Sequence, residues 1–580
     1  MRAEASGTTE RFFWPLVLLL LGVLGTVQAL SVRQESQTWD EGFELASGYS
    51  YLKTGEYRIS LEHPPLARVI AALPLLWLDP KVPVEHASWE QRKVYEFGLE
   101  FLHFNRVDAD TLLQAARLPM ILLTLGLGLA MALWTRRKLG AAAALFALLL
   151  FAFDPNVIAN GRYVKNDVAV TLFAFLSCAA WGGFLENRRK SRLVLAAVSF
   201  GLALATKFSA VFLVPVFVLL GLLAWWRRRE EFPVRRLALW LAVVMGIAGL
   251  VVAAVYAPYA RSLAPVSHAA RLKNPAIRML EDTVIPYTKT GETLAWLGRR
   301  LGLQSHPFLE GIAVFAYHNA AGHQAYLLGM RSEHGWWYYF PVAFLVKTPV
   351  ATLLALAIGL FLAVRLAFAA PLKALPGRLR AARFCWFVLV VPILVYVPLA
   401  MASTINCGVR HLLPIYPFLF VLLGAGLVSL SRYGLVVCGL IAGLLIVESA
   451  AIYPHYLAFF NAAAGGPGNG PRYLLDSNLD WGQDAKKLKA YATEHNIARV
   501  CTCYFGSARL GSYGVFPVDD VPDTKDLKWR ERLDCVAAVS ATSLYGLYIP
   551  EGRFAWLRER QPMAKIGYSI YLYDLRKTRR

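Results

Sequence analysis

The chain has 580 residues, of which 57% are hydrophobic, and its 60 Lys and Arg against 39 Asp and Glu give a formal net charge of +21. With a mean hydropathy of +0.44, this composition excludes an ordinary soluble enzyme. The basic residues lie in short clusters between apolar runs, which argues for membrane topology and against nucleic-acid binding.

A helix needs roughly 20 apolar residues to cross a bilayer. The first such run, 14–31, is followed by no convincing small-residue cleavage site and is read as a retained span rather than a secretion signal. Next comes "TWDEGFELASGYSYL" (38–52), which sets Asp40 and Glu41 side by side at the membrane edge. Adjacent carboxylates repel one another and resist desolvation, so their presence there asks for a reason. "HPPLARVIAALPLLWL" (63–78) is apolar but short and opens on Pro64 and Pro65; it is expected to be an amphipathic helix on the membrane surface, with 42–54 a candidate for another.

Further spans are expected at 116–134, 141–153, 168–185, 193–206, 208–226, 237–257, 338–364, 384–402, 411–428 and 435–452, about eleven in all. The connections "TRRKLG", "ENRRKSR", "RRREEFPVRR" and "RLAFAAPLKALPGRLRAAR" are strongly basic, whereas others such as "STINCGVR" are not. The positive-inside rule then places the basic loops and the N-terminus in the cytoplasm and 32–115, 258–337 and 453–580 outside. In the tail, "LDWGQDAKKLKAYATEH" reads as a helix and "ARVCTCYFG", "CVAAVSA" and "SIYLYDL" as strands. The expected fold is thus a polytopic α-helical membrane module (1–452, with outer loops 32–115 and 258–337), followed by an extracytoplasmic soluble α/β domain (453–580).

Cys178, Cys385, Cys407 and Cys438 lie in or beside apolar runs and read as packing residues. Cys501, Cys503 and Cys535 lie in the tail, where the sequence permits a disulfide; C-x-C alone is a weak metal or redox signal. The H-x4-H of His318 and His323 is a weak zinc signal. No phosphate-binding P-loop, dinucleotide fingerprint or nucleophile elbow stands in a suitable context.

The unusual polar residues fall on one side of the membrane. Asp40 and Glu41 follow the first span, and Arg117 opens the second. Arg162 and Asp167 share "NGRYVKNDVAV" before the fourth, Lys207 interrupts the apolar run between the fifth and sixth, and Arg410 and His411 open the tenth. Taken singly, a carboxylate at a span end reads equally as a helix cap and a lone cation as a snorkelling side chain. Together they describe acids and cations converging at one depth. Transfer from a lipid phosphate needs that combination: a carboxylate to take the acceptor's proton, and cations to stabilise the departing phosphate.

"WDEG…HPPLAR" resembles the acidic first outer loop and His-Pro-Pro-Leu element of protein O-mannosyltransferases, and "NGRYVKNDVAVTLF" resembles that family's second acidic motif. "AARLPMILLTLGLGLAMALWTRRKLG" resembles the second span of the related aminoarabinose transferases, and "GLALATKFSAVFLVP" another recurrent segment. The resemblance covers roughly 10–230 well and the spans after 338 loosely, and the tail does not share it. The element ends here in Ala67-Arg68, where the mannosyltransferase pattern tends to have Gly-Lys.

The resemblance implies a GT-C glycosyltransferase fold and an inverting transfer from a polyprenyl-phosphate sugar. Asp40 would be the base, with Glu41 beside it and Asp167 orienting acceptor or donor sugar. Arg117, Lys207 and Arg410 are candidates for the lipid phosphate, Arg162 and His411 for further substrate contacts, and His63 for holding the first loop. The expected partners are a polyprenyl-phosphate-linked sugar, a protein, lipid or glycan acceptor and membrane lipids, with no nucleic acid. No cofactor is committed to; a divalent metal ion is left open. The expected location is a bacterial inner or plasma membrane, with the active site outside. The rival reading, a transporter or lipid-linked sugar flippase, calls for polar residues at mid-membrane and repeated halves, which the sequence lacks. A non-catalytic surface receptor leaves the membrane-level acids without a purpose.

Overall fold

The computed structural model describes residues 10–262, 307–368, 383–430, 433–517, 519–520, 533–550 and 552–577. Most of the expected outer loop 258–337 and most of the basic stretch 365–383 lie outside the described residues.

Helices stand at every expected span position, but not all are full spans. Among the described residues seven are long and apolar enough to cross a membrane: Phe13–Val32, Ala109–Leu139, Asp167–Asn187, Phe208–Arg227, Val234–Tyr259, Val409–Ser429 and Gly434–Ala451. The bent pair Tyr339–Lys347 and Val350–Arg365 makes an eighth when counted as one span, and the three remaining expected positions carry shorter helices. Ala141–Phe153, Lys190–Leu204 and Cys385–Met401 have 13, 15 and 17 residues. At 1.5 Å per residue the shortest reaches only about 20 Å, less than a hydrocarbon core. The expected single span 338–364 is two helices, Tyr339–Lys347 and Val350–Phe368, bent by 114°. Thr348 is extended before Pro349, as the proline ring requires. The Glu448 carboxylate accepts the backbone N–H groups of Val350 (2.9 Å) and Ala351 (3.0 Å), capping the second helix.

The long helix Ala109–Leu139 shows how local chemistry sets the ends. Asp108 accepts the Thr111 N–H at 2.9 Å, Arg136, Arg137 and Lys138 complement the C-terminal dipole, and Gly140 (φ 99°) ends the run.

In the expected first outer loop, Glu41–Thr54 is helical, but it is packed inside the protein rather than laid on a surface: its residues from Glu41 to Tyr51 are buried. Glycines let its neighbours close in. A Cβ on Gly48 would collide with the Arg68 carbonyl, and one on Gly98 would lie 2.6 Å from the Phe43 nitrogen. The apolar stretch 63–78 forms Leu66–Ala72 and Leu75–Leu78, and leaves Trp77 85% exposed, as a membrane-surface segment does.

The tail carries a five-stranded sheet made of β3 (Val500–Cys503), β4 (Asp519–Asp520), β5 (Val536–Ser540), β6 (Ala564–Ile566) and β7 (Ile570–Asp574); β1 (Ala325–Leu327) and β2 (Met330–Ser332) form a separate hairpin. The sheet order is β4-β3-β5-β7-β6, with β3 parallel to β4 and β5, and β7 antiparallel to β5 and β6. Side chains alternate across it. Val536 and Ala538 pack toward Leu488 of helix Ala485–Glu494. Ala537, Val539, Tyr571 and Tyr573 join the cluster that continues into the membrane helices. A disulfide links Cys501 to Cys535. The polytopic helical class with a C-terminal α/β part is therefore borne out, and the sheet is docked onto the bundle through a shared core.

Candidate active site

The helix Glu41–Thr54 starts at Asp40, whose side chain makes no capping bond. Its Oδ2 instead meets Lys165 Nζ at 2.8 Å and Arg410 Nη2 at 3.8 Å. Asp167, the first residue of its span, pairs through Oδ1 with Lys207 Nζ (2.5 Å) and through Oδ2 with Arg410 Nη1 (3.3 Å). Lys165 also reaches Glu44 Oε1 at 3.0 Å, and Glu44 pairs with Arg68. The result is one alternating chain, Arg68–Glu44–Lys165–Asp40–Arg410–Asp167–Lys207, assembled from four regions of the sequence. It holds four cations and three carboxylates, a surplus of one positive charge.

The chain is nearly dry. Side-chain exposure is 2% for Arg68, Glu44 and Asp167, and 16% for Asp40. Burial works against ionisation of Glu44, but the charges of Arg68 and Lys165 outweigh it and hold the carboxyl well below its ordinary range. Burial likewise works against the Lys165 ammonium, and Asp40 and Glu44 hold it above its ordinary value.

Asp40, Lys165, Lys207 and Arg410 line a cavity of about 1120 Å³, together with His63, His411, Glu62, Asp476 and apolar residues including Phe208, Val211, Phe212 and Leu399. His63 lies there with Nδ1 unpartnered, and burial pushes its imidazole pKa down. Its carbonyl accepts the Tyr57 hydroxyl (2.6 Å) and Arg68 (3.3 Å), which fastens the first loop. His411 Nε2 lies 3.3 Å from Cys407 Sγ. The Arg410 guanidinium lies 4.6 Å over the Trp481 ring, which braces it from the tail.

Four expected site residues do not line the cavity: Asp167, which stands behind Lys207 and Arg410, and Glu41, Arg117 and Arg162. Glu41 and Arg117 are fully buried and paired at two points, Nε to Oε1 at 2.8 Å and Nη2 to Oε2 at 2.6 Å. Glu41 also accepts the Thr38 and Val164 N–H groups, which leaves it no free valence for chemistry. Although burial opposes it, Arg117 holds the Glu41 carboxyl below its ordinary value. Arg162 is buried against Glu35 (2.7 Å) and Ser31. Each of these arginines carries a private counter-ion, so neither offers charge to a ligand.

Lys165, Glu44 and Arg68 were passed over in the sequence. Lys165 stands two residues before Asp167 in the quoted motif, Glu44 one helical turn after Glu41, and Arg68 ends "HPPLAR". Asp476 and Trp481 fall in "LDSNLDW", a cluster of acids and an aromatic soon after the last span, which is the only signal they give. Among the described residues no three His, Cys, Asp or Glu side chains are grouped to hold a metal; His318 and His323 pair with each other instead (3.4 Å).

Fold and site together define a polytopic membrane protein with an ion-lined cavity shared between its spans, first loop and tail. Residues 107–256 match the family model described as dolichyl-phosphate-mannose-protein mannosyltransferase, so the resemblance read from the sequence is borne out over that segment. An uncharacterised protein of Aquifex aeolicus (strain VF5) is 27% identical over 184 residues, 30% of this chain and 31% of that protein, so the chain spans about a third of this relative's length. Two crystal structures of ArnT from Cupriavidus metallidurans, one bound to undecaprenyl phosphate and one in the apo state, align over 97% and 96% of this chain and 99% and 97% of theirs. Each is 14% identical to it, with TM-scores of 0.47 and 0.45.

Proposed function

We propose that this chain is an integral-membrane glycosyltransferase that moves a sugar from a polyprenyl-phosphate donor to an acceptor hydroxyl, with inversion, at the extracytoplasmic face. The observation that carries this reading is the alternating ion chain with its surplus positive charge, four of whose members, Asp40, Lys165, Lys207 and Arg410, line the cavity. A lipid phosphate supplies the missing anion, and the apolar residues at Phe208–Phe212 and Leu399 suit the prenyl chain beside it. The family match over 107–256 supports the same donor class.

In this reading the acceptor oxygen attacks the anomeric carbon, the bond from that carbon to the phosphate oxygen breaks, and the phosphate leaves with the electron pair. Asp40 takes the proton. Both of its cationic neighbours meet Oδ2, so Oδ1 is the oxygen assigned to the acceptor. Lys207 and Arg410, tied to Asp167, stabilise the departing phosphate. Glu41, Arg117 and Arg162 hold the first loop to the bundle and take no part in the reaction. The Cys501–Cys535 disulfide supports an oxidising, extracytoplasmic setting for the tail.

The test is transfer by purified full-length protein from radiolabelled polyprenyl-phosphate sugars to peptide, lipid and glycan acceptors, scored beside Asp40→Asn. Labelled product from the parent protein and none from the variant is expected. No transfer or hydrolysis of any such donor overturns the reading.

A further inference from the structure

The wall of the cavity formed by the tail carries a second polar device. The Tyr548 hydroxyl lies 2.6 Å from Asp476 Oδ2 and 2.9 Å from His323 Nε2, and His323 Nδ1 lies 3.4 Å from His318 Nε2. All four side chains line the cavity. Asp476 comes from the turn after the last span, Tyr548 from the sheet domain, and the two histidines from the outer segment, so three distant regions meet to build it. The rings of Trp39, Phe505 and Tyr548 are stacked in series, at 4.8 Å and 5.5 Å. That column ties Tyr548 to the residue next to Asp40, and fixes the two polar stations relative to each other.

The proton positions along the chain follow from its ends. Asp476 Oδ1 already accepts the Ser477 N–H (2.5 Å), and as a carboxylate Asp476 can only accept. Tyr548 also lies 3.2 Å from the Gln324 carbonyl, but the shorter contact to Asp476 takes the hydroxyl proton. The Tyr548 oxygen then accepts from His323 Nε2–H. This leaves His323 Nδ1 a bare acceptor, which receives His318 Nε2–H. With His318 as a neutral imidazole, its Nδ1 keeps the lone pair, a hydrogen-bond acceptor at the head of a one-way chain.

Which substrate faces it follows from charge. A phosphate is repelled by Asp476 and attracted by Lys207, which lines the same cavity with Asp167 as its counter-ion. The Asp476 end is left for a neutral group that donates hydrogen bonds. A nucleophilic hydroxyl gives its proton to Asp40, so His318 must hold a different one. Resting on the reading above, we propose that the acceptor is a carbohydrate, which carries neighbouring hydroxyls: Asp40 takes the proton of one while His318 Nδ1 holds another. His318 is then a binding residue on the cavity wall, and His323, Tyr548 and Asp476 are positioning residues that hold its ring through Nε2.

The experiment uses the full-length protein with labelled undecaprenyl-phosphate mannose as donor probe, and two acceptor probes, hexyl glucoside and hexanol, which differ in having several hydroxyls or one. Tyr548→Phe keeps the stacked ring and removes the hydroxyl; His318→Phe removes the acceptor nitrogen, and His318→Gln restores an acceptor oxygen. Tyr548→Phe and His318→Phe should each raise KM for hexyl glucoside about tenfold, the loss of one well-placed hydrogen bond. KM for hexanol and the Kd for the donor should not change, and His318→Gln should recover part of the loss. A matching loss of donor affinity overturns the proposal by assigning the chain to the donor sugar, and an unchanged KM for hexyl glucoside overturns it outright. Equilibrium binding of hexyl glucoside to the same proteins needs no turnover. If the parent protein transfers from no polyprenyl-phosphate sugar, the functional reading fails, and binding that is equal in parent and Tyr548→Phe then overturns this proposal separately.

Discussion

Glu41 and Arg117 bind each other at two points, 2.8 and 2.6 Å, in a pair with no exposure to solvent, although 76 residues separate them. This pairing explains how two carboxylates can sit side by side at a membrane edge. Glu41 turns inward and is neutralised by Arg117, while Asp40 turns to the cavity and meets Lys165 and Arg410. The two acids share a position in sequence and nothing else.

Their substitutions should therefore differ in kind. Asp40→Asn removes a proton acceptor at the cavity, and should cut turnover by about a thousandfold with the fold intact. Glu41→Gln leaves Arg117 buried without its counter-ion, and should cost on the order of 3 kcal/mol of stability. Thermal melting in one detergent, beside kcat, separates the two. Normal melting of Glu41→Gln with lost turnover would return Glu41 to the chemistry.

The sequence made one set of residues legible and hid another for a physical reason. Asp40, Asp167, Lys207 and Arg410 stand out because charge at the end of an apolar run is costly wherever it goes. What a linear chain does not display is the partner. Arg117 finds Glu41 across 76 residues and Arg162 finds Glu35 across 127, so two arginines that looked available are already spent. Lys165 was hidden in plain view inside a motif read for its acid. The bend at Thr348–Pro349 was signalled by the proline, but the length of the apolar run outweighed it. The strands β3, β5 and β7 were legible as short apolar and aromatic runs in a polar tail; their docking onto the bundle was not, because both faces of this sheet are apolar and neither is marked as the docking face.

Lys207 and Arg410 both hold Asp167, and in the proposed function both hold the lipid phosphate. Replacing either by Gln should weaken donor binding about tenfold and slow transfer. Lys207→Arg should be partly tolerated, since the charge stays while its geometry changes. Donor titrations against the parent protein in the same detergent check this. Unchanged affinity in both variants would move the phosphate to Lys165, the remaining cation that lines the cavity beside Asp40.

The disulfide gives a test of orientation. Cys501 and Cys535 close a loop with a sequence separation of 34, which in the chain-entropy view is worth roughly 3–4 kcal/mol to the tail. Formed in the cell, the disulfide needs an oxidising compartment, so protein isolated with its thiols blocked should carry it only if the tail is outside. Exposed sites converted to cysteine, Glu85→Cys and Ser512→Cys, should be labelled from outside, and Ser191→Cys should not. Labelling at Ser191→Cys with none at Ser512→Cys would invert the topology and place the cavity on the cytoplasmic face.

Asp480 gives a pH signature that does not depend on any substrate. It is fully buried; Oδ2 accepts the Thr542 N–H at 2.8 Å, and Oδ1 is buried without a partner. Burial pushes its carboxyl up to about 8, from an ordinary value of 3.8. Between those two values the folded chain keeps a proton that the unfolded chain has released. Stability from this group is therefore full below the lower value and is lost as pH rises through the upper one. Asp480→Asn imitates the protonated acid, with an amide that can still accept from Thr542 and that has no proton to lose. Melting of the parent should fall relative to Asp480→Asn as pH is raised from about 5.5 to about 8.5, and the two curves should converge at the acid end. Curves that run parallel across the range would mean that Asp480 is ionised in the folded chain throughout, and that the Thr542 N–H together with an internal water meets its charge.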